Sequence, residues 1–347
     1  MLSALDHPNT DPTPIFEHFR GSYGSELLTA AVTHFDLFGR LKKGPESFEE
    51  LAAGLGLESR PANVLVTALR AMGLVQRQNG RLCLTEMAEE HLVPGGRFDV
   101  GDYVGLAAQS PGVRGMVELL KSNRPLGTDD EGSGAAFIYR DGMSSAMEAE
   151  DSARHLTLAL AGRAKNVAPA LASAVPMDEA HVLLDVGGGT GIYSFAMLQK
   201  NPKLKAIVFD RPEVLKVAEE MGRDYRVLDR VELISGDMFA DPLPSGTDVI
   251  LLSNILHDWD GPECRQLVGR CADVLESSGR LLIHDVFLND ELDGPLPIAL
   301  YSAALFSLTE GRAYSAGEYR LWMEERGLVT EPIIPTGVHC GVLTGRV

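Results

Sequence analysis

The chain has 347 residues, 45% of them hydrophobic, and a formal net charge of −18. That composition builds a large core and excludes wholesale disorder, and the acidic balance repels nucleic acid and anionic membrane surfaces on average. The four cysteines, Cys83, Cys264, Cys271 and Cys340, form no C-x-x-C pair, which fits a reducing compartment and argues against a zinc ribbon.

The opening stretch MLSALDHPNTDPTP is polar and proline-containing, without a basic start followed by an apolar run. Residues 1–13 read as a flexible lead. No apolar segment reaches the roughly 18 residues of a membrane span. The expectation is a cytoplasmic protein with no membrane and no nucleic-acid partner. From Phe16 to about Leu41, apolar residues recur at helical spacing. SFEELAAGLGLESRPANVLVTALRAMGLV then starts with a capping box, Ser47 to Glu50, and reads as helix, glycine turn, helix. LVQRQNGRLCLT follows, two short strands around Asn79-Gly80. Helix, turn, helix and hairpin describe a winged helix. Its second helix carries only Arg60 and Arg70 as cations, whereas DNA binding asks for a clustered basic face. Packing or dimerisation is the expected use.

Residues from about 100 to 175 read as mainly helical, with a loop near KSNRPLGTDDEGSG. From His181 onward, short apolar strands (HVLLDVG, LKAIVFD, VELISGD, DVILLSNIL, RLLIHDVF) alternate with helical patterns. That alternation implies parallel strands with crossover helices, a doubly wound α/β sheet. After a helical stretch at 294–327, EPIIPTG and VHCGVLTGRV have no helix between them and should pair antiparallel at one edge. The expected division is a winged-helix dimerisation domain over 1–105, linking helices over 106–175 and a Rossmann-like catalytic domain over 176–347.

Ligands of such a sheet lie at the carboxyl ends of its strands. Here those ends carry Asp185, Asp210, Asp237, the pair His257-Asp258, and His284-Asp285. The glycines of LLDVGGGTG suit a dinucleotide, a nucleoside or a phosphate. They run G-G-G-T-G rather than the G-x-G-x-x-G that seats a pyrophosphate, and Asp185 beside them suits a cationic ligand. S-adenosylmethionine carries an ammonium and a sulfonium and no phosphate. Asp210, 19 residues after Gly191, can accept from ribose hydroxyls. Asp237 can accept from an adenine amino group, and Met238 can pack on its ring; as ordinary structure, the same residues cap a turn and fill core.

LLDVGGGTG, IVFDRPEV, ISGDMF, HDW and the late GRAYSAGEY occur in that order. Over roughly residues 15–347 the chain resembles the class I, S-adenosylmethionine-dependent O-methyltransferases of the cation-independent type. That group includes plant caffeate and hydroxyindole enzymes and bacterial enzymes of secondary metabolism. The resemblance implies a homodimer built through the winged-helix domain and a small-molecule acceptor. It implies S-adenosylmethionine held by Asp185, Gly187, Gly189, Asp210, Asp237, Met238, Phe239 and Ser253. Ser253 stands where plant relatives have a lysine near the adenine.

Methyl transfer from a sulfonium requires a positioned acceptor and removal of its proton. His257 matches the family's catalytic histidine, and its residue type titrates where a phenol's proton can be taken. Asp285 stands where the family has a supporting glutamate, one methylene shorter. Ala313 stands where a second glutamate is common, which leaves Tyr314 to fill part of that place. By resemblance, Asp258 orients the acceptor. Met143, Met147, Tyr301, Leu305 and Phe306 fit either an apolar acceptor pocket or helix core. His257, His284 and Asp285 could also form a two-histidine, one-carboxylate metal set, but His284 and Asp285 point to opposite sheet faces if the strand is regular, and no metal is expected. Other readings of the same fold remain: a C- or N-methyltransferase, a non-catalytic ligand-binding regulator, or an NAD-dependent oxidoreductase.

Overall fold

The computed structural model describes residues 2–124 and 150–347, which form two compact units. One unit takes residues 17–124 and 288–315, the other residues 2–16, 150–287 and 316–347.

The first unit is helical. Its Phe48–Leu55 helix begins with the expected capping box: Glu50 N–H donates to Ser47 Oγ, and Ser47 N–H donates to the Glu50 carboxylate. Gly56, at φ 68°, ends that helix in the left-handed conformation that glycine adopts without strain. The Ser59–Ala71 helix follows, then strands β1 (Val75–Gln78) and β2 (Arg81–Leu84), paired antiparallel. Asn79 and Gly80 both have positive φ, as a two-residue hairpin of this hand requires. Leu27, Leu51, Leu65 and Leu69 are fully buried at the centre of this unit.

The second helix of the motif uses its two cations inside the protein. Arg60 donates to Asn123 Oδ1, to the Asn123 carbonyl and to the Thr309 carbonyl, and its guanidinium lies 4.7 Å from the Phe306 ring centroid. Arg70 donates to the carbonyls of Glu291 and Leu292. Residues 288–315 belong to this unit by their contacts, although the sequence reading placed them within 176–347. The reason is apolar packing: the Leu296–Leu308 helix buries Ala303 and Phe306 in the same core as Leu65 and Leu69. The helical stretch expected over 294–327 is broken at 309–315, between this helix and Ala316–Glu324.

The second unit holds an eight-stranded sheet. Its strands are β3 (Val182–Val186), β4 (Lys205–Asp210), β5 (Val231–Ser235), β6 (Thr247–Ser253), β7 (Leu275–Val286), β8 (Val329–Thr330), β9 (Ile334–Gly337) and β10 (Cys340–Arg346). The order is β5-β4-β3-β6-β7-β10-β8, with β9 on β10. Strands β3 to β7 run parallel, and β10 is antiparallel to β7, β8 and β9. The chain winds outward from β3 to β5 and then returns to the far side of β3 with β6. That reversal puts the switch point at the carboxyl end of β3, where sheets of this kind bind their ligands. The helix Glu150–Ala174 packs on the helices Ile192–Lys200 and Pro212–Asp224.

The expected flexible lead is corrected in part. Ala4 is buried, and its N–H donates to Gln199 Oε1 at 2.7 Å, with Ser3 Oγ on the same oxygen. Met143, Met147 and residues 125–134 of the expected loop lie outside the described residues.

Candidate active site

The site is assembled from the carboxyl ends of β3, β4, β5, β6 and β7. Strand β3 ends one residue after Asp185, which is 1% exposed. Ser194 donates to its Oδ2 at 2.6 Å, while Oδ1 is buried with no hydrogen-bond partner. Burial pushes the carboxyl up to about 7, against the Ser194 hydrogen bond. A carboxylate oxygen without a donor is costly inside a protein, so it marks a place for a donor-rich ligand.

The turn after it approaches neighbouring backbone closely. Gly187 has φ 69°, and a Cβ there would lie 2.5 Å from Ile255 Cδ1. Gly187 N–H donates to the Phe209 carbonyl, which ties the turn to β4. Gly189, at φ 58°, donates its N–H to Asp210 Oδ2 at 2.8 Å, and Arg211 N–H donates to Asp210 Oδ1 at 2.7 Å. Burial lifts the Asp210 carboxyl to about 6 although these two backbone donors oppose it. Asp210 thus joins the glycine turn to the end of β4.

Beyond β5, Asp237 Oδ1 accepts from Phe239 N–H at 2.8 Å, and Oδ2 accepts from Arg211 at 3.1 Å. Asp237 therefore caps its own turn and carries an ion pair to the residue after Asp210. Met238 is partly exposed, and Phe239 meets Trp259 edge-on with centroids 4.7 Å apart. Ser253, at the end of β6, places Oγ 2.8 Å from His284 Nδ1 and accepts from Asn254 Nδ2 at 3.1 Å. Asn254, at φ 57° just past the end of β6, leaves a buried Oδ1 with no partner.

His257 sits in a short 3₁₀ turn, Leu256–Asp258, and is 2% exposed. Its Nδ1 lies 2.5 Å from Asp285 Oδ1. A carboxylate only accepts, so Nδ1 carries the proton of this hydrogen bond and Nε2 points to the other side of the ring. Asp258 Oδ1 lies 3.6 Å from that Nε2. Burial raises Asp258 to about 6, against the charges of His257 and Arg163. Asp285 is fully buried; burial works to raise it, but His257, the Val286 N–H and Arg163 together hold it below the ordinary carboxylate range. The shortened side chain therefore closes the distance to His257 by itself.

His284 turns the other way. Its Nε2 lies 2.9 Å from Thr336 Oγ1, its Nδ1 faces Ser253, and burial drives it down to about 3. His284 and Asp285 thus serve opposite sides of β7, and among the described residues no group of three potential metal ligands forms. Besides Ser194 and Asn254, Tyr319 and Arg163 reach the site without having been picked out from sequence. Tyr319, in the Ala316–Glu324 helix, donates its hydroxyl to Asp285 Oδ2 at 3.2 Å. Arg163, from Glu150–Ala174, directs positive charge at Asp258, Asp285, His284 and Tyr193. In the helical unit, Ala313 is fully buried with its N–H on Ser302 Oγ, and Tyr314 lies under the Arg312 guanidinium.

A doubly wound sheet whose glycine turn is flanked by the carboxylates of Asp185 and Asp210 fits a nucleoside cofactor. The unpartnered oxygens of Asp185 and Asn254 fit a ligand bearing an ammonium, and the acidic strand ends repel a pyrophosphate. The comparisons narrow the class. A family model described as an O-methyltransferase domain matches residues 131–329. The 3-hydroxy-5-methyl-1-naphthoate 3-O-methyltransferase of Streptomyces sahachiroi is 33% identical over 91% of this chain and 89% of that protein. The tetracenomycin polyketide synthesis 8-O-methyl transferase of Streptomyces glaucescens is 28% identical over 91% of each. A crystal structure of an O-methyltransferase family 2 protein from Planctomyces limnophilus, in complex with apigenin, shares 47% identity with a TM-score of 0.90, covering 100% of this chain and 99% of that one. The chain belongs to this O-methyltransferase family and is an S-adenosylmethionine-dependent methyltransferase.

Proposed function

We propose that the protein transfers a methyl group to a hydroxyl of a small aromatic or polyketide-like metabolite, with His257 as the general base. The observation that carries this is the 2.5 Å contact between His257 Nδ1 and Asp285 Oδ1. It orients the imidazole through Nδ1 and assigns Nε2 the role of proton acceptor. The acceptor class is supported by the relatives: one is named for a hydroxynaphthoate, one for a polyketide, and one was crystallised with apigenin.

S-adenosylmethionine, when bound, supplies an electrophilic methyl carbon. Asp185 and Asn254 offer acceptors for its ammonium, Gly187 and Gly189 give it close backbone, and Asp210 stands where ribose hydroxyls can donate. Asp237, Met238 and Phe239, just past the end of β5, would meet the adenine, and Ser253, at the end of β6 and tied to His284, would offer it a hydroxyl. His257 Nε2 takes the hydroxyl proton, Asp285 stabilises the resulting imidazolium, and Asp258 orients the acceptor.

In this reading the catalytic domain covers 176–347, apart from residues 288–315 that pack in the helical unit, and linking helices over 106–175 lead to it from a dimerisation domain over 1–105. The exposed Phe98, Val100, Tyr103 and Leu106 suit a homodimer contact. The internal use of Arg60 and Arg70 speaks for a protein-packing helix rather than a nucleic-acid one. No described helix is long and apolar enough to cross a membrane, and a cytoplasmic location fits the free cysteines. The test is incubation with S-adenosylmethionine and a panel of hydroxylated aromatics, with products assigned by nuclear magnetic resonance. Methyl ethers are expected; methylation only at carbon or nitrogen contradicts the proposal.

A further inference from the structure

We infer that Tyr319 is a positioning residue for the reaction, its hydroxyl locking the Asp285 carboxylate in the orientation that holds His257 ready to accept a proton. The inference rests on His257 being the base. Asp285 has two oxygens and no exposure to solvent. Oδ1 is shared by His257 Nδ1 at 2.5 Å and Val286 N–H at 2.8 Å. Oδ2 accepts from the Tyr319 hydroxyl at 3.2 Å. Without that donor, one oxygen of a buried anion loses a partner, and the carboxylate loses a restraint on rotation about its Cβ–Cγ bond.

Tyr319 is built to stay in place. It is fully buried, and its ring meets Phe287 and Trp322 edge-on, with centroids 5.4 Å and 5.5 Å away. These contacts need only the ring. The hydroxyl is therefore the one part of the side chain whose use is electrostatic rather than space-filling, and Phe would serve the packing equally. The charged groups facing the pair are Asp258 from the 3₁₀ turn and Arg163 from Glu150–Ala174, with His284 behind on β7. Arg163 and the Val286 N–H compensate the anion from other sides, so loss of the tyrosine hydroxyl should weaken the pair without abolishing it.

The sign of the pH effect follows. Removing a donor from an anion raises the proton affinity of the coupled His257–Asp285 pair, so the base becomes protonated at higher pH. Y319F is expected to lower kcat roughly tenfold with KM changed less than twofold. The acid limb of its kcat profile is expected to move up by about half a pH unit. In a D285N background the same exchange should change kcat less than twofold, because the charge it serves is gone. Thermal melting of Y319F, expected near that of the parent, separates these effects from misfolding. Unchanged kcat and an unmoved acid limb in Y319F would overturn the inference. So would an equal loss in the D285N background, which would place the action of Tyr319 elsewhere. Full activity of H257A would instead remove the base on which the inference stands, a result distinct from either.

Discussion

His257 Nδ1 and Asp285 Oδ1 stand 2.5 Å apart with both side chains buried, so the aspartate reaches the imidazole without the extra methylene of a glutamate. D285N keeps the size and removes the charge that stabilises the imidazolium. We expect kcat for an aromatic hydroxyl to fall about 10²-fold or more, with S-adenosylmethionine affinity within threefold of the parent. D285E is expected to lower activity too, since the added methylene has no room in a site already closed. Steady-state kinetics and calorimetry on the two variants check this; a D285E enzyme faster than the parent would contradict it.

Cofactor affinity should depend on pH through Asp185. Burial lifts that carboxyl to about 7, and the form that attracts an ammonium is the anion. The ammonium itself, an α-amino group, stays charged below about 7.7. S-adenosylmethionine should therefore bind about tenfold more tightly at pH 7 than at pH 5.5. D185N should bind weakly at both and lose most of the dependence, keeping only the part that Asp210, raised to about 6, contributes. In the unliganded protein the sign is opposite: a raised carboxyl contributes stability fully below the unfolded value near 4, and that contribution is lost as pH rises through about 7.

His284 should set part of the acid sensitivity. It is kept neutral down to about 3, whereas an unfolded histidine protonates near 6.5. Its contribution to stability is full above pH 6.5 and declines as pH falls from there toward 3. Between pH 7 and pH 4.5 the parent should lose about 2 kcal/mol more than H284Q. Urea denaturation at the two pH values measures the difference, and parallel losses would argue against it.

The glycine turn offers a steric test. G187A places a side chain at φ 69°, 2.5 Å from Ile255 Cδ1. The conformation alone costs about 1 kcal/mol, and the collision adds to it. Cofactor affinity should fall at least tenfold, about 1.4 kcal/mol, with a lower melting temperature. The G187A/I255A double variant should recover part of the melting temperature, because the contact is relieved while the dihedral strain remains. No recovery would show that Ile255 is not the obstacle.

The parallel strands were legible because each is an apolar run ending in an acid, a pattern set by burial on both faces and a polar crevice at one end. The capping box and the Asn79-Gly80 hairpin were legible because they depend on neighbours in sequence. Strand β7 begins at Leu275, earlier than the run RLLIHDVF suggested: Glu276, Ser277, Ser278 and Gly279 look like a turn, yet Leu275 pairs with the buried Thr247 at the start of β6. The docking of Ser3 and Ala4 on Gln199 and the packing of Ala303 and Phe306 with Leu65 join distant segments, which no local pattern announces. His257, Asp258 and Asp285 were readable from strand ends and motif. Tyr319 and Arg163 were not, because a tyrosine at helical spacing reads as core and one arginine on a helix reads as surface. Only the tertiary fold brings either to Asp285.

The most direct test is the pH–rate profile of methyl transfer by H257A beside the parent, on one hydroxylated aromatic with S-adenosylmethionine saturating. At pH 7 the variant should be at least about 10²-fold slower, its rate climbing toward the parent's as pH approaches the phenol's own range near 10, where no base is needed. A variant that matches the parent at pH 7 would show that something other than His257 takes the proton.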